Sequence, residues 1–169
     1  KQQEYYRILA RESARLTRLV NNLLDFSRIE AGRKKYEKKQ VELPALIQEA
    51  LETYRFHLQQ RGFVLIEKID ASVPRIVADP EAITQAFLNL LDNAVKYSEQ
   101  EKQVTVSLCR EGNWTIVEVA DCGIGIAPQH HHKIFGKFYR VERIGQETRG
   151  AGIGLAIVIA VIEFLWDGW

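Results

Sequence analysis

The sequence predicts a helical stalk followed by an α/β layer domain. Two features lead to that reading: a heptad-spaced apolar stripe in the first thirty residues, and strand-like runs alternating with amphipathic helical ones from residue 40 onward. Composition agrees, since a chain of 169 residues that is 46% apolar and 27% charged has material for a real core. Twenty-three basic against 22 acidic residues leave a formal charge of +1, without the basic excess of a nucleic-acid or anionic-membrane binder. Cys109 and Cys122 are the two cysteines; they lack metal-ligand spacing and read as free thiols in a reducing compartment. No apolar run approaches the roughly 20 residues that span a bilayer, and Lys1 opens a charged segment unlike a signal peptide. Met is absent, which fits an excised piece of a longer protein.

In the stalk, Leu9, Leu16 and Leu23 recur every seven residues, with Leu19 and Phe26 at the complementary heptad position. Val20 and Leu24 widen the stripe, and Glu12 interrupts it. The pattern predicts a seam for a partner helix; the alternative is a helix packed on its own domain. Ala31-Gly32 is the stop, and the charged run Arg33–Lys39 reads as a solvated linker. Val41-Glu42-Leu43 is strand-like, and Pro44 opens a helix with Leu46, Ile47, Ala50, Leu51 and Tyr54 on one side. Phe63–Ile69 and Arg75-Ile76-Val77 read as strands. Asp79-Pro80 then starts a helix running to about Tyr97, with Asp as N-cap. Val104, Val106 and Leu108 alternate with Thr105, Ser107 and Cys109; Gly112-Asn113 turns the chain and Trp114–Ala120 returns as the second strand of a hairpin. Asp121 to Gly154 is a long glycine-rich connection of the kind that carries function, and Ile153–Leu165 closes as an apolar helix.

Three pieces carry chemistry. On the helix after Asp79, Ile83, Phe87, Leu90 and Ala94 form the expected core face, while Asn89, Asn93 and Lys96 form a second stripe. A carboxamide oxygen suits a hard cation such as magnesium, and an ammonium offsets phosphate charge; the plainer reading is a solvated polar edge. Asp121 ends an apolar strand and is followed by Gly123 and Gly125. A carboxylate there accepts from a base amino group and bare glycine lets a flat ring approach, or else Asp simply caps a sharp turn. Gly150-Ala151-Gly152-Ile153-Gly154-Leu155 runs into the last helix, where free N–H groups cradle an anion. It matches neither the P-loop nor the Rossmann pattern. Together the pieces describe a pocket with metal, base and phosphate positions.

The run Asn89-Leu-Leu-Asp-Asn93-Ala-Val-Lys96-Tyr97-Ser98 resembles the N box of sensor histidine kinases, and Asp121-Cys-Gly123-Ile-Gly125-Ile126 their G1 box. Lys133-Ile-Phe135-Gly-Lys-Phe138-Tyr139-Arg140 resembles the F box and Gly150-Ala-Gly152-Ile-Gly154-Leu-Ala-Ile the G2 box. The segment from Glu12 to Gly32 is similar to the second helix of the family's dimerisation hairpin. The resemblance implies a two-layer α/β sandwich, a mixed sheet packed on helices, shared with DNA gyrase and mismatch-repair ATPases (the GHKL fold). It implies ATP and magnesium as ligands, with Asn93 on the metal, Asn89 beside it, and Lys96 on phosphate. Tyr97 would pack on the adenine, Asp121 bind its amino group, and Gly123, Gly125 and Ile126 line that end. Arg140 would reach the terminal phosphate, and Gly150, Ala151, Gly152, Ile153, Gly154 and Leu155 would wrap the phosphates as a lid anchored by Phe135 and Phe138.

The implied organisation is residues 1–32 as dimerisation helix, 33–40 as linker and 41–169 as ATP-binding catalytic domain, shortened at its C-terminal strands. The implied partners are a second copy through the N-terminal helix and a response regulator, in a cytoplasmic domain whose parent is membrane-anchored or soluble. The family's phospho-acceptor histidine lies on a first hairpin helix, and His57, His130, His131 and His132 do not occupy one. The chain is therefore expected to bind nucleotide without phosphorylating itself. The three adjacent histidines read as solvated loop, and Ala151 stands where the family often has a hydroxyl residue. Two rival readings remain: a non-catalytic ATP-sensing or dimerisation module, and a GHKL-type ATPase releasing phosphate to water.

Overall fold

A computed structural model describes residues 2–98, 101–141 and 151–166, with backbone alone at 2–4, 7–12, 14–15 and 18–19. Helix α1 spans Gln2–Glu30. It stops at Gly32, whose φ of +61° is the left-handed conformation glycine tolerates, with the Arg33 N–H donating back to the Arg28 carbonyl at 2.8 Å. The expected seam divides. Leu16, Val20, Leu23 and Leu24 stay exposed, whereas Phe26 is buried against Ala82, Ile153 and Ile157 of the same chain. The side chains of Leu9, Glu12 and Leu19 lie outside the described residues.

The charged run after α1 is mostly exposed, with Lys34 and Tyr36 half-buried, and it is tethered to the domain. Lys34 Nζ donates to Gln85 Oε1 at 2.9 Å, the Tyr36 ring stacks on Phe164 at 3.9 Å, and the Glu37 N–H donates to Asp79 Oδ2 at 2.8 Å. Strand β1 (Lys39–Val41) follows, two residues ahead of its expected place, because Leu43 already belongs to helix α2 (Leu43–Gln60). Then come β2 (Val64–Ile69), β3 (Ile76–Ala78), helix α3 (Pro80–Tyr97), β4 (Gln103–Glu111), β5 (Trp114–Asp121) and helix α4 (Gly154–Trp166), with a 3₁₀ turn at Pro128–His130 between the last two. Asp79 caps α3 as expected: Oδ1 accepts from the Glu81 and Ala82 N–H groups at 2.9 and 3.1 Å. Its second oxygen takes Glu37, so one carboxylate fixes both a helix start and the incoming segment.

β4 pairs parallel with β2 (Val64↔Gln103 to Ile69↔Leu108) and antiparallel with β5 (Val104↔Asp121 to Glu111↔Trp114), giving the order β2-β4-β5. β1 and β3 form a small antiparallel pair. A parallel pair needs a crossover, and α3 supplies it on the face where α2 also lies. Val104, Val106 and Leu108 are fully buried, the first two in one core with Ile47, Leu51, Leu58, Phe87 and Leu91. The expected core face of α3 needs one correction. Leu91, not Leu90, continues the stripe from Ile83 and Phe87 to Ala94. Spacings of seven and eight residues both fit a helical face, and packing against α2 and the sheet selects the latter. Leu91→Ala is expected to lower unfolding stability by about 2–5 kcal/mol, measured as the urea midpoint.

Candidate nucleotide-binding site

The C-terminal half of α3 forms the floor. Asn89 is buried, with Oδ1 accepting from Asn22 Nδ2 at 3.4 Å, while its own Nδ2 is buried with no partner among the described residues. Asn93 and Lys96 are half-buried one and two turns on. Lys96 folds onto Tyr97, its Nζ donating to the phenol oxygen at 2.7 Å and lying 4.4 Å from the ring centre. The ammonium and the exposed ring therefore move as one unit.

Asp121 stands at the end of β5, as expected. Its Oδ1 accepts from the Gly123 N–H at 2.8 Å and the Ser98 hydroxyl at 3.3 Å, and the Ile124 N–H donates to the Tyr97 carbonyl at 3.3 Å. These bonds stitch the loop after β5 to the end of α3 and bring Asp121 beside Tyr97. Ser98 is almost fully buried there. Glycine is required at 123, since a Cβ would lie 2.5 Å from Asp121 Oδ1 and 2.6 Å from the Tyr97 carbonyl oxygen. Ile124 and Ile126 are exposed on the same loop, and Gly125 turns it at φ +66°. Partial desolvation, then the charges of Glu101 and Asp121, push the Cys122 thiol above its ordinary range.

The lid segment folds over its own histidines. His130 Nδ1 lies 2.6 Å from the Tyr139 hydroxyl and His131 Nε2 2.9 Å from the Ile126 carbonyl; His130 is half-buried, while His131 and His132 are exposed. Phe135 and Phe138 are exposed; Phe138 meets Phe26 edge-on at 5.8 Å, and Lys137 pairs with Glu30 at 2.6 Å. Gly152 lies directly on this segment, where a Cβ would come within 2.9 Å of the Phe138 carbonyl carbon and 3.1 Å of Arg140 Cγ. Gly154 faces Asn89, its would-be Cβ 3.5 Å from Oδ1. Asn89 thus faces the N-terminus of α4, and Asp121 lies against the end of α3.

Other expected residues divide. Arg140 and Ala151 are exposed and Leu155 half-buried, while the Ile153 side chain is in the core, leaving its backbone for any ligand. Gly150 lies outside the described residues. Sequence reading missed Asn22 and Gln85, which have no local signature; Ser98 was visible only as the residue closing α3. No trio of His, Cys, Asp or Glu among the described residues is placed to hold a metal. Among the described residues no helix is long and apolar enough to cross a membrane.

A mixed sheet on one helical layer, with glycine loops meeting a polar helix at the sheet's end, is the architecture of the sandwich ATPases. The family described as histidine kinase-, DNA gyrase B- and HSP90-like ATPase matches residues 78–169, and the chain belongs to that family. It is homologous to histidine kinases along nearly its whole length. It is 32% identical to the circadian input-output histidine kinase CikA of Synechococcus elongatus over 96% of this chain and 22% of that protein. It is likewise 32% identical to the adaptive-response sensory kinase SasA of Rippkaea orientalis over 88% of this chain and 38% of that one. The solved structure of full-length ShkA in complex with AMPPNP superposes with a TM-score of 0.76 at 30% identity, covering 95% of this chain and 34% of that chain. The chain spans well under half the length of these relatives.

Proposed function

We propose that this chain is the ATP-binding catalytic module of a two-component sensor histidine kinase, delivering the ATP γ-phosphoryl group to a histidine on a dimerisation helix that this sequence does not include. The observation that carries the reading is the meeting of Asn89 with Gly154 at the N-terminus of α4. It joins a carboxamide helix to a phosphate-type cradle, in a chain whose likeness to histidine kinases also extends across α1.

At the base end, Asp121 accepts the adenine amino group, and Tyr97, Ile124 and Ile126 offer apolar surface to the ring. At the phosphate end, the backbone N–H groups from Ala151 to Leu155 and the positive end of α4 meet the polyphosphate. Lys96 and Arg140 add mobile positive charge, and Arg140 stabilises charge on the transferring group. A magnesium ion arriving with the nucleotide would be held by the Asn93 carboxamide oxygen, with Asn89 beside it. When bound, that ion neutralises phosphate charge. The exposed stripe Leu16, Val20, Leu23 and Leu24 serves a second copy in the parent protein, whose phosphohistidine passes its phosphoryl group to a response regulator. We place this module in the cytoplasm.

Titration with a fluorescent ATP analogue tests the reading. Saturable binding strengthened by magnesium is the expected result, and no saturable binding would leave only the non-catalytic module. Steady phosphate release by the isolated chain would instead favour the hydrolytic ATPase. The four histidines sit at the end of α2 and in the lid segment, so no self-phosphorylation of the isolated chain is expected.

A further inference from the structure

Two polar rungs join α1 to α3. Asn22 Nδ2 donates to Asn89 Oδ1 at 3.4 Å, and about one turn away Gln85 Nε2 donates to Asp25 Oδ2 at 2.7 Å. Lys34 completes the second rung, donating to Gln85 Oε1 at 2.9 Å and lying 3.8 Å from Asp25 Oδ1. The numbers rise on one helix as they fall on the other, 22 to 25 against 89 to 85, so the helices run antiparallel and the rungs fall in register. Between them is a cleft of about 470 Å³ lined by Asn22, Asp25, Gln85, Leu88, Asn89 and Asp92.

Asn89 also faces the N-terminus of α4, where a Cβ on Gly154 would lie 3.5 Å from its Oδ1. It is 8% exposed, and half of its amide is engaged by Asn22 while the other half is buried without a partner among the described residues. Exchanging oxygen and nitrogen in both amides preserves that division. A buried amide atom left unpaired is a group available to a ligand or a water.

We infer that Asn22 is a positioning residue for the phosphate end of the nucleotide site. By engaging the amide atom nearest Gly154 it fixes the side chain in one orientation and leaves the other, buried amide atom to meet the polyphosphate. The second rung, Asp25 with Gln85 and Lys34, sets the spacing of the two helices at which this contact forms. The inference rests on the ATP reading, and it makes the stalk helix a contributor to the site rather than a mere carrier of it.

The test is a double-mutant cycle on the full chain, read as the Kd for ATP with magnesium. Asn22→Ala is expected to weaken binding roughly three- to tenfold, and the same change made in an Asn89→Ala background is expected to add almost nothing. Asn22→Leu is close in size and can neither donate nor accept; it should weaken binding as Asn22→Ala does, and it carries the test if the alanine variant fails to fold. An unaltered chain that does not bind ATP would overturn the reading beneath the inference. An unaltered chain that binds, with Asn22→Leu or Asn22→Ala binding equally well, would overturn the inference alone. So would a loss that persists undiminished without the Asn89 amide, because a merely structural role is additive.

Discussion

Asp121→Ala is expected to weaken ATP binding by roughly 10- to 150-fold, the equivalent of losing about 1.5–3 kcal/mol from one charge-assisted hydrogen bond. The carboxylate is exposed at the end of β5, which favours the lower part of that range. Two effects act together. The base amino group loses its acceptor, and the Gly123 N–H and Ser98 hydroxyl lose the oxygen that ties the loop to α3. Asp121→Asn separates them, since an amide oxygen still accepts from Gly123 while the charge is gone; a smaller loss is expected. Selectivity gives a second readout. A carboxylate repels the carbonyl that guanine presents where adenine has its amino group, so GTP should compete poorly with the unaltered chain and better with Asp121→Asn. Competition against a fluorescent ATP analogue measures all three. Undiminished ATP affinity in Asp121→Ala, with the fold intact by circular dichroism, would remove Asp121 from the base site.

Where the sequence was readable, the determining interaction was local. Asp79-Pro80 set the start of α3 because an N-cap acts on backbone groups two and three residues away. The alternation Val104, Val106, Leu108 set β4 because strand faces repeat every second residue. The glycines at 123 and 152 marked the loop and the cradle because only glycine fits where backbone approaches so closely. What escaped was decided by distant partners. Helical periodicity could not choose between Leu90 and Leu91, since the choice depends on how α3 packs against α2 and the sheet. Arg33–Lys39 has the composition of a linker, yet Tyr36 and Lys34 are held by Phe164 and Gln85, 128 and 51 positions further along the chain. Phe26 obeyed its heptad but faces its own domain, because α4 offers it Ile153 and Ile157. The Asn22–Asn89 contact spans 67 positions and leaves no trace in either local pattern.

Gly152→Ala is the change expected to separate the lid from the base site. Gly152 has φ +71°, a conformation that costs an L-residue about 1–2 kcal/mol. The added methyl would also lie 2.9 Å from the Phe138 carbonyl carbon and 3.0 Å from the Tyr139 carbonyl oxygen, which are backbone atoms with little room to give. Phe138 is itself at φ +59° and packed on Phe26, so the segment it would have to displace is already held in an uncommon conformation. Thermal stability should fall by roughly 2–8 °C for a chain of this size. The larger effect falls on phosphate discrimination. Asp121, Gly123 and Tyr97 lie on the other side of α3's end and are tied to one another, so contacts to the base and ribose should survive. The lid and the N-terminus of α4 part company, so the advantage of ATP over AMP should shrink by about tenfold, or 1.4 kcal/mol. Paired competition titrations with ATP and AMP give that ratio directly. A folded Gly152→Ala variant that keeps it would mean that the close contact between Gly152 and Phe138 plays no part in holding the triphosphate. Proportional weakening of both ligands would mean that the two ends of the site are mechanically one.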